Sequence, residues 1–241
     1  MIVEQATLRS DSRYHDGQAV LVAKSPGIDE NLAARLGQWT PGCWDMPERQ
    51  PDCVHFYRPI KNKLVVSRSI HSHLGRGRNG HQTVLTSATV VETNQLEGYH
   101  HNAVLFANTM LSMGNLHLLA DEILKLPSLE VPDGTFFTAE DCFAEMDPRR
   151  VDSISRAIEI HKQVAIFGVP NPLGFLGGFL GMLPNEQRLR TSFTTGSGLS
   201  KQRPFNLHFF ATENADLKKE LVQAQIRTIS IEPSIEPVTI I

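Results

Sequence analysis

Leu64-Val65-Val66-Ser67-Arg68-Ser69-Ile70 and Thr83-Val84-Leu85-Thr86-Ser87-Ala88-Thr89-Val90-Val91 decide the fold class of this chain. Both runs are rich in β-branched residues and read as strands, which together make a hairpin. Its long tip holds Gly75-Arg76-Gly77-Arg78-Asn79-Gly80. That tip matches G-x-G-x-x-G, but a dinucleotide-binding fold needs a helix after the loop to meet the pyrophosphate. Here the chain after the loop is β-branched and extended. A protein kinase does place such a loop between strands, yet the sequence has no V-A-I-K-like strand, no H-R-D and no D-F-G, and no G-K-[S/T] of a P-loop. The tip is read as a plain flexible turn, or as a cationic contact for an acidic or phosphate-bearing partner through Arg76, Arg78 and His81.

Outward from the hairpin, residues 18–23 are apolar on both alternating faces, the pattern of a central buried strand. Ser25-Pro26-Gly27 turns the chain, and Ile28, Leu32, Leu36 and Trp39 recur at helical spacing until Pro41. Residues 40–53 carry three prolines with Cys43 and Cys53 and read as an irregular loop. Ala103, Val104, Ala107, Met110 and Leu111 share a helix face that Gly114 ends. Further helices are expected over 116–126, from the capping-box-like 138–141, and from Asp147-Pro148. A strand is expected over 164–168, a strand pair over 189–195 and 205–211, a helix from Asn214 to Leu221, and an extended tail from Pro233. This order predicts an α+β fold, with a mixed, mainly antiparallel sheet and several packed helices. The chain reads as one domain over 1–241 or as two packed halves, about 1–135 and 136–241.

With 241 residues, 41% hydrophobic and 20% charged, the composition is that of a soluble globular protein. A net charge of −3 argues against a dedicated nucleic-acid binder. Cys43, Cys53 and Cys142 form no C-x-x-C pair and read as reduced thiols in a cytoplasmic setting. No secretory signal is visible, and the longest apolar stretch, 170–184, is too short to span a bilayer.

Among candidate site residues, Arg68 shares a strand face with Leu64, Val66 and Ile70, so it needs a carboxylate or several carbonyls, and is read as a structural ion pair or a ligand contact. His71, His73 and His81 flank the glycine loop, and a pocket around Arg68, His71 and His81 is the alternative that would suit a ligand-binding domain or an enzyme. The histidines lack the convergent spacing of a zinc site, so neither metal nor cofactor is expected. Gly174, Gly177, Gly178 and Gly181 set G-x-x-x-G spacings in an apolar segment, which predict close packing on the sheet or a greasy homo-oligomer interface. Without G-x-S-x-G or a cysteine in a catalytic context, no catalytic residue is assigned.

Several stretches occur together in order: Glu4-Gln5-Ala6, Ala23-Lys24-Ser25-Pro26-Gly27-Ile28, Val66-Ser67-Arg68, the segment from Gly75 to His81, Leu183-Pro184 through Arg188, and Ser192-Phe193-Thr194-Thr195. In these the chain resembles the N-terminal domain of the bacterial GTPase-associated protein family, large adaptor-like proteins encoded near small GTPases. The resemblance implies a non-catalytic interaction module acting with a GTPase or other NTPase partner in a signalling or conflict system. It carries over no catalytic residue, and the middle and C-terminal regions of larger members have no counterpart before Ile241.

Overall fold

The computed structural model describes residues 1–13, 17–46, 52–72, 82–116, 125–134, 146–200, 202–203, 205–212 and 215–231. Arg76, Arg78, His73, His81 and Cys142 lie outside them, as do the bodies of the expected 116–126 and 138–141 helices and the tail from Pro233. The strands are β1 (Ile2–Asp11), β2 (Ala19–Lys24), β3 (Asp52–Ile60), β4 (Lys63–His71), β5 (Thr83–Glu92) and β6 (Leu129–Glu130). They continue with β7 (Val164–Phe167), β8 (Phe193–Thr194), β9 (Leu207–Phe210) and β10 (Arg227–Ser230). The α-helices are α1 (Glu30–Trp39), α2 (Ala103–Ser112), α3 (Pro148–His161), α4 (Pro172–Met182), α5 (Asn185–Arg190) and α6 (Ala215–Gln223).

All ten described strands belong to one mixed sheet, ordered β10-β7-β9-β8-β3-β4-β5-β1-β2, with β6 also paired to β1. The expected hairpin is present: β4 and β5 pair antiparallel, with Arg68 opposite Ser87. From β3 to β2 every pairing is antiparallel. From β8 to β10 every pairing is parallel. The two regions join where β3 meets β8 antiparallel, His55 opposite Thr194 and Phe56 opposite Phe193. The fold is therefore α+β, with a mostly antiparallel mixed sheet.

Local sequence explains most helix ends. Asp29 caps α1 by accepting from the Leu32 amide at 2.7 Å, and Asn102 caps α2 through the Val104 amide at 3.0 Å. Asp147 caps α3 with Pro148 in its first turn, as expected, and Val151 and Ile154 form its buried face. α4 lies on α2, with room at Gly177 for an ordinary side-chain contact. A Cβ at Gly177 would stand 3.5 Å from Val104 Cγ1, and Asn102 Nδ2 donates to the Gly177 carbonyl at 3.2 Å. Leu176, Phe179 and Leu180 on α4 are fully buried, so this apolar segment is part of the core.

Other expectations are corrected. The 19–24 strand is the edge strand of the described sheet rather than a central one, and Val20 and Val22 remain 36% and 47% exposed. Residues 185–190 are helical, leaving only two residues for β8, which runs parallel to β9. β1, β3 and β10 were not anticipated, although Cys53-Val54-His55-Phe56-Tyr57 is a continuous run of β formers.

The sheet is covered on both faces. On one, α2, α3 and α4 pack over Phe56, Val66, Val91, Ile166 and Phe209. On the other, α1 covers Leu8, Val65 and Val90 at one end, and α6 covers Ala165 and Phe210 at the other. Between α1 and α6 that face carries residues 40–46, with a short 3-10 turn at Cys43–Asp45, and Phe205.

Arg188 ties the helical layer together. Its guanidinium donates to the carbonyls of Gly181 (2.6 Å), Leu183 (2.7 Å) and His100 (2.6 Å), holding the end of α4 to the turn before α2. Arg188→Ala leaves these carbonyls short of a charged donor and should lower unfolding free energy by about 2–3 kcal/mol in urea titrations. Arg188→Lys should recover only part of the loss, because an ammonium cannot fork across three acceptors.

Candidate functional site

Arg68 donates through Nε and Nη2 to the Asp52 carboxylate at 2.9 and 2.7 Å, the structural ion pair that its sequence setting allowed. This hydrogen bonding holds the guanidinium firmly protonated. His71 Nε2 lies 3.2 Å from the Met46 carbonyl. The chain flanking 73–81 is fastened by Ser72 N to Thr83 O (2.8 Å) and Ser12 N to Gln82 O (3.0 Å). Ser72 and Gln82 therefore lie at the end of the sheet that carries Met46. Arg68 and His71 thus meet different partners, Asp52 and the Met46 carbonyl.

A different group of residues gathers on the face between α1 and α6. His55 hydrogen-bonds through Nδ1 to Thr194 Oγ1 at 2.9 Å and through Nε2 to Ser69 Oγ at 3.2 Å. The chain of contacts continues from Ser69 Oγ to Thr86 Oγ1 at 2.7 Å and from Thr194 Oγ1 to Ser197 Oγ at 2.9 Å. Phe205 stacks on the His55 ring with centroids 5.8 Å apart. Trp39 stacks on Tyr57 at 4.9 Å and meets Phe205 edge-on at 5.4 Å, forming the aromatic wall beside this polar centre.

Cys53 Sγ lies 3.2 Å from His55 Nε2, the residue types and spacing of a nucleophile and its base. Their environment fixes a different state. Both side chains are fully buried. Burial pushes the Cys53 thiol up, and burial together with the nearby Arg203 charge lowers His55 to about 3. The pair is a neutral thiol beside a neutral imidazole, sealed from solvent, and its role is to satisfy the interior. His208 is likewise lowered by burial to about 4, between Phe205 and Phe210.

Arg203 is the charged member of this centre, and its charge is felt at Cys53, His55, Tyr57 and His208. It is only 5% exposed. Asp45 Oδ1 stands 2.7 Å from Nη2, while the Thr40 carbonyl is 3.5 Å from Nη1. Above it opens a cleft of about 910 Å³ between β2, α1 and the 40–46 turn, with Gly17, Val20, Ala34, Gly37, Trp44 and Gln202 on its walls. Sequence reading missed Arg203, which stands among Lys201, Gln202 and Pro204 and reads there as a solvated loop arginine.

Among the described residues no three His, Cys, Asp or Glu side chains converge as a metal site, and no described helix is long and apolar enough to cross a membrane. Comparison with protein-family models, curated proteins and solved structures found no match to this chain.

The two buried histidines set an acid limit on stability. Each has a folded pKa below the unfolded value near 6.5, so the unfolded chain takes up the proton first as pH falls. Their stabilisation is present above pH 6.5 and is lost below it, at about 1.4 kcal/mol per pH unit for each histidine. His101, lowered by burial, acts in the same direction. Urea titrations at pH 7 and 5 should show this loss, and His208→Phe should remove roughly half of the slope contributed by the pair.

Proposed function

We propose that this chain is a non-catalytic interaction domain, an adaptor that works with a GTPase or other NTPase in a bacterial cytoplasmic system, and that a segment of its partner enters the cleft between β2 and α1. The observation that carries this reading is the open cleft beside the sheet's edge strand. An edge strand offers a row of unpaired backbone donors and acceptors to an extended peptide, and a neighbouring groove takes alternate side chains. Val20 and Val22 leave apolar surface exposed on β2 itself. Ser72 and Gln82, which bracket Arg76, Arg78 and His81 in sequence, lie at the same end of the sheet as the 42–46 turn, and we infer a second contact there for an acidic or phosphate-bearing surface. The type of partner rests on the family resemblance.

A ligand-binding reading shifts its centre accordingly. Arg68 and His71 are engaged by Asp52 and Met46, whereas Arg203 faces an open cleft. This second reading needs only the cleft and not the partner.

Titration calorimetry against a GTPase encoded beside this gene tests the proposal. Ala34 is exposed on α1 and lines the cleft, so Ala34→Trp fills it without touching the core. This variant should weaken binding at least about tenfold, and Arg76→Ala/Arg78→Ala should weaken it further with a reduced salt dependence. Unchanged affinity in a folded Ala34→Trp protein would remove the cleft from the interface. Self-association lost on the same substitution would make a second copy of this chain its occupant.

A further inference from the structure

We propose that the groove between α3 and β10 is a docking site for an acidic, extended segment of a partner protein, laid along β10 as an added strand. This groove lies at the opposite end of the strand order from the β2 cleft, so the inference stands apart from the adaptor reading above. Among the described residues β10 pairs only with β7, which makes it an edge strand. Its outer edge offers backbone donors and acceptors to an extended chain. Beside that edge opens a groove of about 510 Å³. Arg227 and Ile229, two apart on β10, share the strand face that lines it. Arg149, Asp152, Arg156 and Ile160 line it from one stripe of α3.

The groove is cationic in a chain whose net charge is −3. Arg149, Arg156 and Arg227 are exposed, and among the described residues none of their guanidinium groups has an ion-pair partner. Asp152 sits three residues after Arg149 and four before Arg156, the spacings at which helix ion pairs form, and it pairs with neither. Three positive charges left open along one groove, against one carboxylate, favour an acidic occupant. Arg149 and Arg156 stand two helical turns apart, about 10 Å along α3, which suits a run of acids better than one small anion. The apolar groups among them choose a peptide over a nucleic acid. Ile160 is 73% exposed and Ile229 is half-buried. A phosphate backbone has nothing to place on these side chains. A strand that presents acid, apolar, acid on one face does.

Amide and arginine Nε–H shifts of the full 15N-labelled chain test the site. The probes are N-acetyl-Thr-Glu-Thr-Ile-Thr-Glu-Thr amide, its counterparts with Gln or Lys in place of both Glu, and hexathymidylate. The acidic peptide should move the Arg227–Ser230 amides and the Nε–H signals of the three arginines saturably, with a submillimolar Kd. The Gln peptide should bind at least about tenfold more weakly. Arg156→Gln/Arg227→Gln changes two exposed side chains and should weaken the acidic peptide about tenfold. Arg156→Glu/Arg227→Glu should abolish its binding and accept the Lys peptide, which the unaltered chain rejects. Ala34→Trp, in the β2 cleft, should leave all of these affinities unchanged.

Equal affinity for the Gln peptide would overturn the acidic occupant. A tighter response to hexathymidylate would overturn the protein segment and make the groove a nucleic-acid contact. Moved arginine signals beside unmoved β10 amides would overturn the added strand. The absence of any saturable response to the acidic peptide would overturn the site itself. Loss of that response in Ala34→Trp would place the peptide in the β2 cleft and overturn the groove as its seat. A failure of the GTPase to bind leaves the peptide result intact, so the two readings fail separately.

Discussion

The continuity of the sheet depends on the join between β3 and β8. β8 has two residues, and each meets β3 with a different chemistry. Phe56 and Phe193 stack at 5.7 Å on the face covered by α2, α3 and α4. His55 and Thr194 hydrogen-bond at 2.9 Å on the opposite face. Thr195 adds a third tie by accepting from the Val54 amide at 2.8 Å. An antiparallel region and a parallel region are thereby held as one sheet by very little ladder. The side chains at the join must supply what the backbone cannot, which is why its polar face is so fully networked.

That requirement explains where the polar centre sits. Helices α1 and α6 cover the ends of one sheet face, and no described α-helix covers its middle. Irregular chain lies there instead, and its backbone and hydroxyl groups need partners once buried. His55, Ser69, Thr86, Thr194 and Ser197 satisfy one another in neutral forms. A buried imidazole held neutral can accept at one nitrogen and donate at the other, as bridging two hydroxyls demands. The same burial that holds Cys53 and His55 in their neutral forms suits them to holding the join.

The hairpin and the helix from Asp147-Pro148 were legible because local pattern decides them. Alternation marks β4 and β5, and a capping acid before proline marks α3. β2 was misplaced because an apolar run does not say whether its neighbours exist; Val20 and Val22 are apolar and yet exposed at an edge. β8 escaped because two residues carry no period. Arg68 was legible as an ion pair, since an arginine on an apolar strand face has few options. Arg203 was not, because its burial depends on residues 40–46 closing over it from a distant part of the chain. The stretches that carry the family resemblance prove to be structural ties where the structure describes them. Glu4 accepts from Ser25 Oγ and from the Gly27 amide, fastening the Ser25-Pro26-Gly27 turn to β1, and Arg188 fastens α4. These contacts shape the scaffold and say little about what it binds.

The turn at 42–45 is where scaffold and site meet. Were Asp45 free to rotate, it would fork onto Arg203 with both oxygens, and the guanidinium would be an ordinary buried ion pair. Gly42 prevents this by holding one oxygen, and Gly198 fixes the turn further by donating to the Asp45 carbonyl at 2.6 Å. The constraint that closes the turn therefore also sets how Asp45 meets Arg203, with Oδ1 2.7 Å from Nη2 beneath the cleft. A buried guanidinium whose charged partner is held rigid by the turn is costly to disturb, because removing Asp45 would leave the Arg203 charge buried and unpaired.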